Sequence, residues 1–116
     1  MAYSEELAVR IREVLARRKG VAEKKMFGGL TFMLQGHMCC GIVKDELVLR
    51  LGPEQGEKAL KKPYTRECDF TGRPLTGMVM VSPGGYQTDH DLWQWVQQAS
   101  DFVSSLPTKE IRRTKR

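Results

Sequence analysis

Two adjacent cysteines and a nearby histidine are the residues whose types could do chemistry. His37, Cys39 and Cys40 lie in the stretch Lys24–Val43, KKMFGGLTFMLQGHMCCGIV. A thiol beside a base can act as a nucleophile, and thiolates with imidazoles can bind zinc. The spacing argues against both, because the chain has no Cys-x-x-Cys, no His-x-x-x-His and one other histidine, His90. We predict no catalytic residue, no metal site and buried thiols that pack as small apolar groups.

The glycine pair Gly28-Gly29 in the same stretch is the second candidate. Glycine-rich turns cradle phosphates when a strand precedes them and a helix follows. Here the next residues, LTFML, read as a strand, so the helix N-terminus that would bind the anion is missing. The pair is therefore interpreted as a bend at a strand end, and no cofactor is predicted.

Arg73 is the third candidate, in the loop DFTGRPLTG at positions 69–77. A guanidinium can bind a carboxylate or phosphate through two parallel hydrogen bonds. The alternative is that Arg73 braces its own loop against Asp69 or Glu67. The sequence leaves Arg73 as a residue that could contact an anion or a partner.

The positive charge of the chain is concentrated after Pro107. Of the net +5, residues 107–116 contribute five basic residues against one acidic residue, whereas residues 1–106 hold 14 basic and 13 acidic residues. We expect one domain over residues 1–106 and a basic, flexible tail over 107–116. Such a tail is usually solvated, but it can also contact phosphates. Its basic residues are Lys109, Arg112, Arg113, Lys115 and Arg116.

The N-terminal segment and the apolar runs bear on location. MAYSEELAVRIREVLARRKG lacks the basic-then-apolar order of a signal peptide. No apolar run approaches the roughly 20 residues that cross a bilayer. We expect a cytoplasmic protein that does not contact a membrane.

The elements that must position these residues follow from caps and periodicity. Ser4 caps a first helix whose apolar residues recur at helical spacing up to Gly20, and Thr88 with Asp91 caps a last helix that Pro107 stops. The segments between them are predicted as strands at 30–34, 37–43 and 46–51, a short helix from Pro53 to about Lys61, and a strand at 78–81. This order predicts an α+β domain with helices packed on an antiparallel sheet.

Two-residue separations predict tight hairpins between the three central strands. With Leu34 opposite His37 and Val43 opposite Glu46, strict alternation gives two faces that are both largely apolar. One is the core face, with Met33, Met38, Cys40, Ile42, Leu47, Leu49 and Leu51. Since an apolar sheet face needs a cover, we predict that the other face forms an interface. Its predicted interface residues are Leu30, Phe32, Leu34, Val43 and Val48.

These segments together resemble the N-terminal domain family of TfoX/Sxy, named for bacterial regulators of natural competence. The resemblance covers about Ser4 to Leu106, and its most specific parts are the run Met26–Leu30 and the loop Phe70–Pro74. It implies an α-β(3)-α-β(2)-α fold like that of secretion chaperones, a tendency to pair, and no defined active site. Longer members carry a C-terminal helical domain, and here a chain with the N-terminal domain alone is expected.

The sequence thus predicts a non-enzymatic regulatory or protein-interaction module, homodimeric through the face defined above and binding a protein partner that is not identified. A first alternative is a nucleic-acid-associated regulator that uses the basic tail, helped by Arg17, Arg18, Lys19, Lys24 and Lys25. A second alternative is a small-ligand binder or enzyme centred on Arg73, with Cys39 or Cys68 nearby.

Overall fold

The computed structural model describes residues 3–26, 28–68 and 77–106 of the chain. Three helices, a short 3-10 turn and six strands follow one another in this part. They are α1 (Glu5–Val14), β1 (Val21–Met26), β2 (Gly29–Leu34), β3 (His37–Val43), β4 (Glu46–Arg50), α2 (Pro53–Ala59), β5 (Thr65–Glu67), β6 (Met78–Val81), the 3-10 turn (Pro83–Gly85) and α3 (Asp89–Ser104). Among these helices, none has the length and apolar character needed to pass through a membrane.

The first helix begins where the sequence predicts. The Ser4 hydroxyl accepts a hydrogen bond from the Leu7 amide at 3.1 Å, which satisfies one of the free donors of the first turn. The helix ends at Val14, earlier than the predicted Gly20, because tighter turns follow it, such as the bond from the Arg18 amide to the Leu15 carbonyl. Gly20, at a φ of +79°, then turns the chain into β1.

The sheet is antiparallel throughout, in the order β1-β2-β3-β4-β6-β5. Both predicted two-residue hairpins are confirmed, with Leu34 opposite His37 and Val43 opposite Glu46. The first turn places Gln35 and Gly36 at φ values of +54° and +86°, as a type I′ turn requires.

A β-bulge between β2 and β3 changes which side chains share a face. Phe32 lies opposite Cys40 but Met33 lies opposite Met38, so Cys39 has no opposite residue in β2. An extra residue on one strand shifts the alternation of its side chains between the two faces by one position relative to the paired strand. Cys39 and Cys40 consequently both join the core beneath the helices.

The bulge corrects the predicted faces. Leu30, Phe32 and Leu34 are at most 4% exposed and lie in the same core as the helix residues. Their predicted position on the interface face is therefore wrong, because the prediction assumed unbroken alternation. Met33 and Met38, predicted in the core, take the opposite face instead.

All three helices lie on one face of the sheet. α3 packs against β2, β3 and β4 and contacts α1, while α2 contacts β6. The main core unites buried residues of the three helices with Ile42, Leu47, Leu49, Val79 and Val81 of the sheet. The Thr88 hydroxyl caps α3 through the Asp91 amide at 3.0 Å, as predicted.

The predicted α+β class with helices packed on an antiparallel sheet is confirmed. Relative to the α-β(3)-α-β(2)-α order that the resemblance implies, the count differs in one place, since four strands rather than three precede α2. The additional strand is β1, whose sequence VAEKKM lacks an apolar alternation strong enough to predict a strand.

Candidate interaction surface

The sheet face opposite the helices is the candidate functional site, and we call it the second face. Its centre consists of the buried residues Val48, Cys68 and Met80. Its rim consists of the partly buried residues Met38, Val43 and Met78, which pack against that centre. No residue of the three helices belongs to this cluster as the structure describes it.

The strand register explains how these residues come together. Val48 on β4 lies between Gly41 on β3 and Met80 on β6, and Arg66 on β5 lies beyond Met80. Residues directly opposite one another in antiparallel strands share a face. This row places Val48 at the centre of the second face, where it is buried within the single chain.

The predicted interface residues divide between the two faces. Val43 and Val48 lie on the second face, as predicted, and Val48 is only 1% exposed within the single chain. Leu30, Phe32 and Leu34 lie under the helices. The accessible apolar part of the second face is therefore its rim.

Charged groups border this apolar centre. Arg66 donates a hydrogen bond to the Glu46 carboxylate, and the Arg50 guanidinium lies 3.5 Å from the carbonyl oxygen of Met38. Lys24 of β1 is exposed and lies opposite Thr31. An apolar centre within a polar margin is the usual composition of a protein interface. Methionine side chains on its rim can adapt to the shape of a partner.

The cysteines lie away from this surface, except for Cys68. The Cys39 thiol lies 3.6 Å from the Ser100 hydroxyl under α3, and Cys39 and Cys40 are fully buried. The hydrogen bond from Cys40 lowers the pKa of Cys39, whereas that bond and burial raise the pKa of Cys40. Neither thiol can reach a substrate in solution from this position. Within the described residues, no three His, Cys, Asp or Glu side chains are grouped to hold a metal ion.

The two histidines lie in different parts of the fold. His37 is 5% exposed on the helix-covered face, opposite Leu34. His90 lies in the first turn of α3, where its ring stacks on Trp93 with the ring centroids 6.3 Å apart.

The predicted anion contacts, Arg73 and the five basic residues of the tail, lie outside the described residues.

Sequence reasoning missed Met38, Met78 and Met80 as surface or near-surface members of the second face. The sequence pattern predicts Met38 in the core because nothing in the residues HMCCGIV indicates the bulge that follows it. The sequence predicts that Met78 and Met80 lie in one strand, but it does not predict which strands pair with that strand. The pairing of β6 with both β4 and β5 places them on the second face.

Comparison with known proteins adds one match. The model of a family described as the TfoX N-terminal domain matches residues 13–103 of the chain. The matched region contains all six strands, α2 and all of α3 except its last residue, but only the last two residues of α1. No curated protein sequence matches the chain at a significant level.

Proposed function

This chain belongs to the TfoX N-terminal domain family, and from this premise we propose that it acts as a non-enzymatic regulatory module through protein–protein contacts. Membership of this family supports a regulatory, competence-related role. We propose more specifically that two copies associate through the second face. The TfoX N-terminal domain is not a known enzyme family.

A single observation carries the proposal: the three helices cover one sheet face, while Met38, Val43 and Met78 stay partly accessible on the other. The three rim residues surround a centre that is already buried within one chain. A second copy that contacts the rim would remove this further apolar surface from water.

The charged margin suits a symmetric contact. In a two-fold interface the same patch meets itself, so each positive group can face a negative group of the other copy. The second face offers Arg66 and Glu46 side by side. The same pair could therefore form within one copy or across two.

Molar mass in solution tests the proposal. We expect the 13.2 kDa chain to sediment at twice that mass at micromolar concentration. Val43→Glu places a charge in the rim and should give monomers, since an unpaired charge in an apolar contact is strongly unfavourable. Val9→Glu is the matched control, because Val9 is 51% exposed on α1, away from the second face.

The result depends on both variants remaining folded, which their circular dichroism and thermal unfolding report. Met78→Lys provides a second rim substitution on a different strand. A monomeric parent chain at about 100 µM, where complexes with micromolar affinity form, contradicts the proposal. So does a Val43→Glu dimer as stable as that of Val9→Glu.

Two sequence-based alternatives stay predictions, because Arg73 and the basic tail on which they centre lie outside the described part of the chain. Removing residues 107–116 should abolish any salt-sensitive DNA binding if the tail contacts phosphates. Arg73→Ala should abolish binding of an anionic small molecule if that residue centres a ligand site.

A further inference from the structure

We propose that β1 is a docking edge for an acidic, extended segment of a partner protein, which adds to the sheet as a further strand. The inference rests on the proposed function as a protein-interaction module. It uses the backbone edge of β1 rather than the apolar cluster of the second face, so the two can fail separately.

The first ground is the position of β1. Within the described strands it lies at one end of the sheet, with β2 as its neighbour on one side. It is six residues long, twice the length of β5 at the opposite edge. Residues 22–25 are exposed. A long exposed edge presents unpaired backbone groups to which another strand can add.

The second ground is the direction of its backbone groups. The Gly20 carbonyl accepts a hydrogen bond from the Gln35 amide at 2.9 Å, so Gly20 is directed toward β2. Because backbone groups alternate in direction along an antiparallel strand, Val21, Glu23 and Lys25 direct their amides and carbonyls away from β2. The edge therefore offers three donors and three acceptors at regular spacing.

The third ground is charge. Residues 12–25 hold six basic and two acidic residues, a net of +4, whereas the rest of residues 1–106 holds eight basic and 11 acidic residues, a net of −3. Arg17, Lys19, Lys24 and Lys25 form no ion pair with another described residue. Lysines at an edge repel basic strands and attract acidic ones.

Lys24 and Lys25 define the chemistry of the occupant. Lys24 lies on the second face, opposite Thr31, and Lys25 lies opposite Leu30 on the helix-covered side. Successive residues of an added strand also alternate between these sides. An extended segment with two or three consecutive acidic residues would therefore place a carboxylate beside each lysine.

This chemistry is less favourable for two other occupants. A second copy paired through β1 would bring two segments of net +4 together, which is unfavourable. A nucleic acid would present phosphates to the outward carbonyls and to Glu23 as well as to the lysines. A peptide strand carries its own alternating amides and carbonyls and matches the edge in both respects.

The test uses the full chain and a fluorescent, capped peptide, Thr-Val-Glu-Glu-Glu-Val-Thr, at about 150 mM salt, where distant charges are screened. We expect saturable binding by anisotropy below about 1 mM. The same peptide with lysine in place of glutamate should not bind. Two further peptides carry backbone N-methyl groups on alternate residues, one at the odd-numbered and the other at the even-numbered positions. Only the peptide whose methylated amides face β1 should lose binding, because methylation there removes the donors of the hydrogen-bond ladder.

Variants of the chain isolate the backbone contribution. Glu23→Pro removes one outward amide at a position where an edge strand tolerates proline, and we expect binding about tenfold weaker. Glu23→Ala, the matched control, keeps that amide and should bind within about twofold of the parent or more tightly, since it removes a negative charge. Lys24→Glu combined with Lys25→Glu should weaken binding at least tenfold.

Several results would overturn the inference. Equal binding by both N-methylated peptides would show simple charge attraction without strand addition. In competition experiments, a 20-base-pair DNA duplex that displaces the fluorescent peptide at a lower concentration than the unlabelled peptide needs would assign the edge to nucleic acid. No saturable binding at 1 mM would remove the site. Neither Glu23 variant should change the molar mass, because Glu23 lies opposite Phe32 on the helix-covered side, so a failure here is distinguishable from a failure of association through the second face.

Discussion

Truncation of Phe32 distinguishes a core residue from an interface residue. Phe32 is 1% exposed and belongs to the core shared with the helices. Removing a fully buried phenylalanine side chain costs about 3–5 kcal/mol, from lost burial and the cavity left behind. At about 4 °C per kcal/mol for a domain of this size, Phe32→Ala should lower the unfolding temperature by about 12–20 °C.

Denaturant unfolding monitored by circular dichroism measures the free energy of unfolding at about 1 µM and about 50 µM protein. An interface residue would change stability only where the protein associates, because association stabilises by mass action. For Phe32→Ala we expect the same loss at both concentrations. Met33→Ala, one residue away on the opposite face and partly exposed, is the control and should cost about 1 kcal/mol. A Phe32→Ala loss below about 1.5 kcal/mol, or one seen only at the higher concentration, would refute the assignment of Phe32 to the core.

Two further predictions concern a glycine and an ion pair. Gly52 has a φ of +88°, and a Cβ built there would lie 2.5 Å from the Phe102 ring, whereas Gly28 has a φ of +74° and no described atom near such a Cβ. Gly52→Ala should therefore lower the free energy of unfolding by about 1–2 kcal/mol more than Gly28→Ala does. Equal losses in denaturant unfolding would contradict this. The hydrogen bond from Arg12 lowers the pKa of Glu23. This ion pair contributes to the free energy of unfolding by about 0.2–1 kcal/mol, the usual range for an exposed pair. The contribution is present above the unfolded pKa of about 4.3 and disappears as pH falls through the lowered value. Urea unfolding should show Glu23→Gln less stable than the parent at pH 7 and equally stable near pH 2, and a difference that grows as pH falls would contradict the sign.

The sequence predicted most of the elements because their determinants are local. Ser4 and Thr88 cap the two long helices where predicted, and the two hairpins follow from two-residue separations. Turn length and capping chemistry act over a few residues, so they can be read from adjacent letters.

The assignment of side chains to faces failed because it depends on a non-local feature. A bulge is set by how β2 and β3 fit together beneath α3, and no residue near Cys39 encodes it alone. One extra residue moved Leu30, Phe32 and Leu34 to the opposite face from the one predicted. Strand β1 was missed for a related reason, since its charged sequence forms a strand through pairing with β2 rather than through its own propensity.

Contacts between the methionine methyl groups of two copies test the central claim most directly. A mixture of ¹³C-methyl-methionine chain and unlabelled chain, recorded by NMR with isotope filtering, reports only contacts across an interface. We expect intermolecular NOEs from Met38 and Met78 on the second face. Intermolecular NOEs absent from both methyl groups at about 1 mM, a concentration that populates even weak complexes, would contradict association through this face.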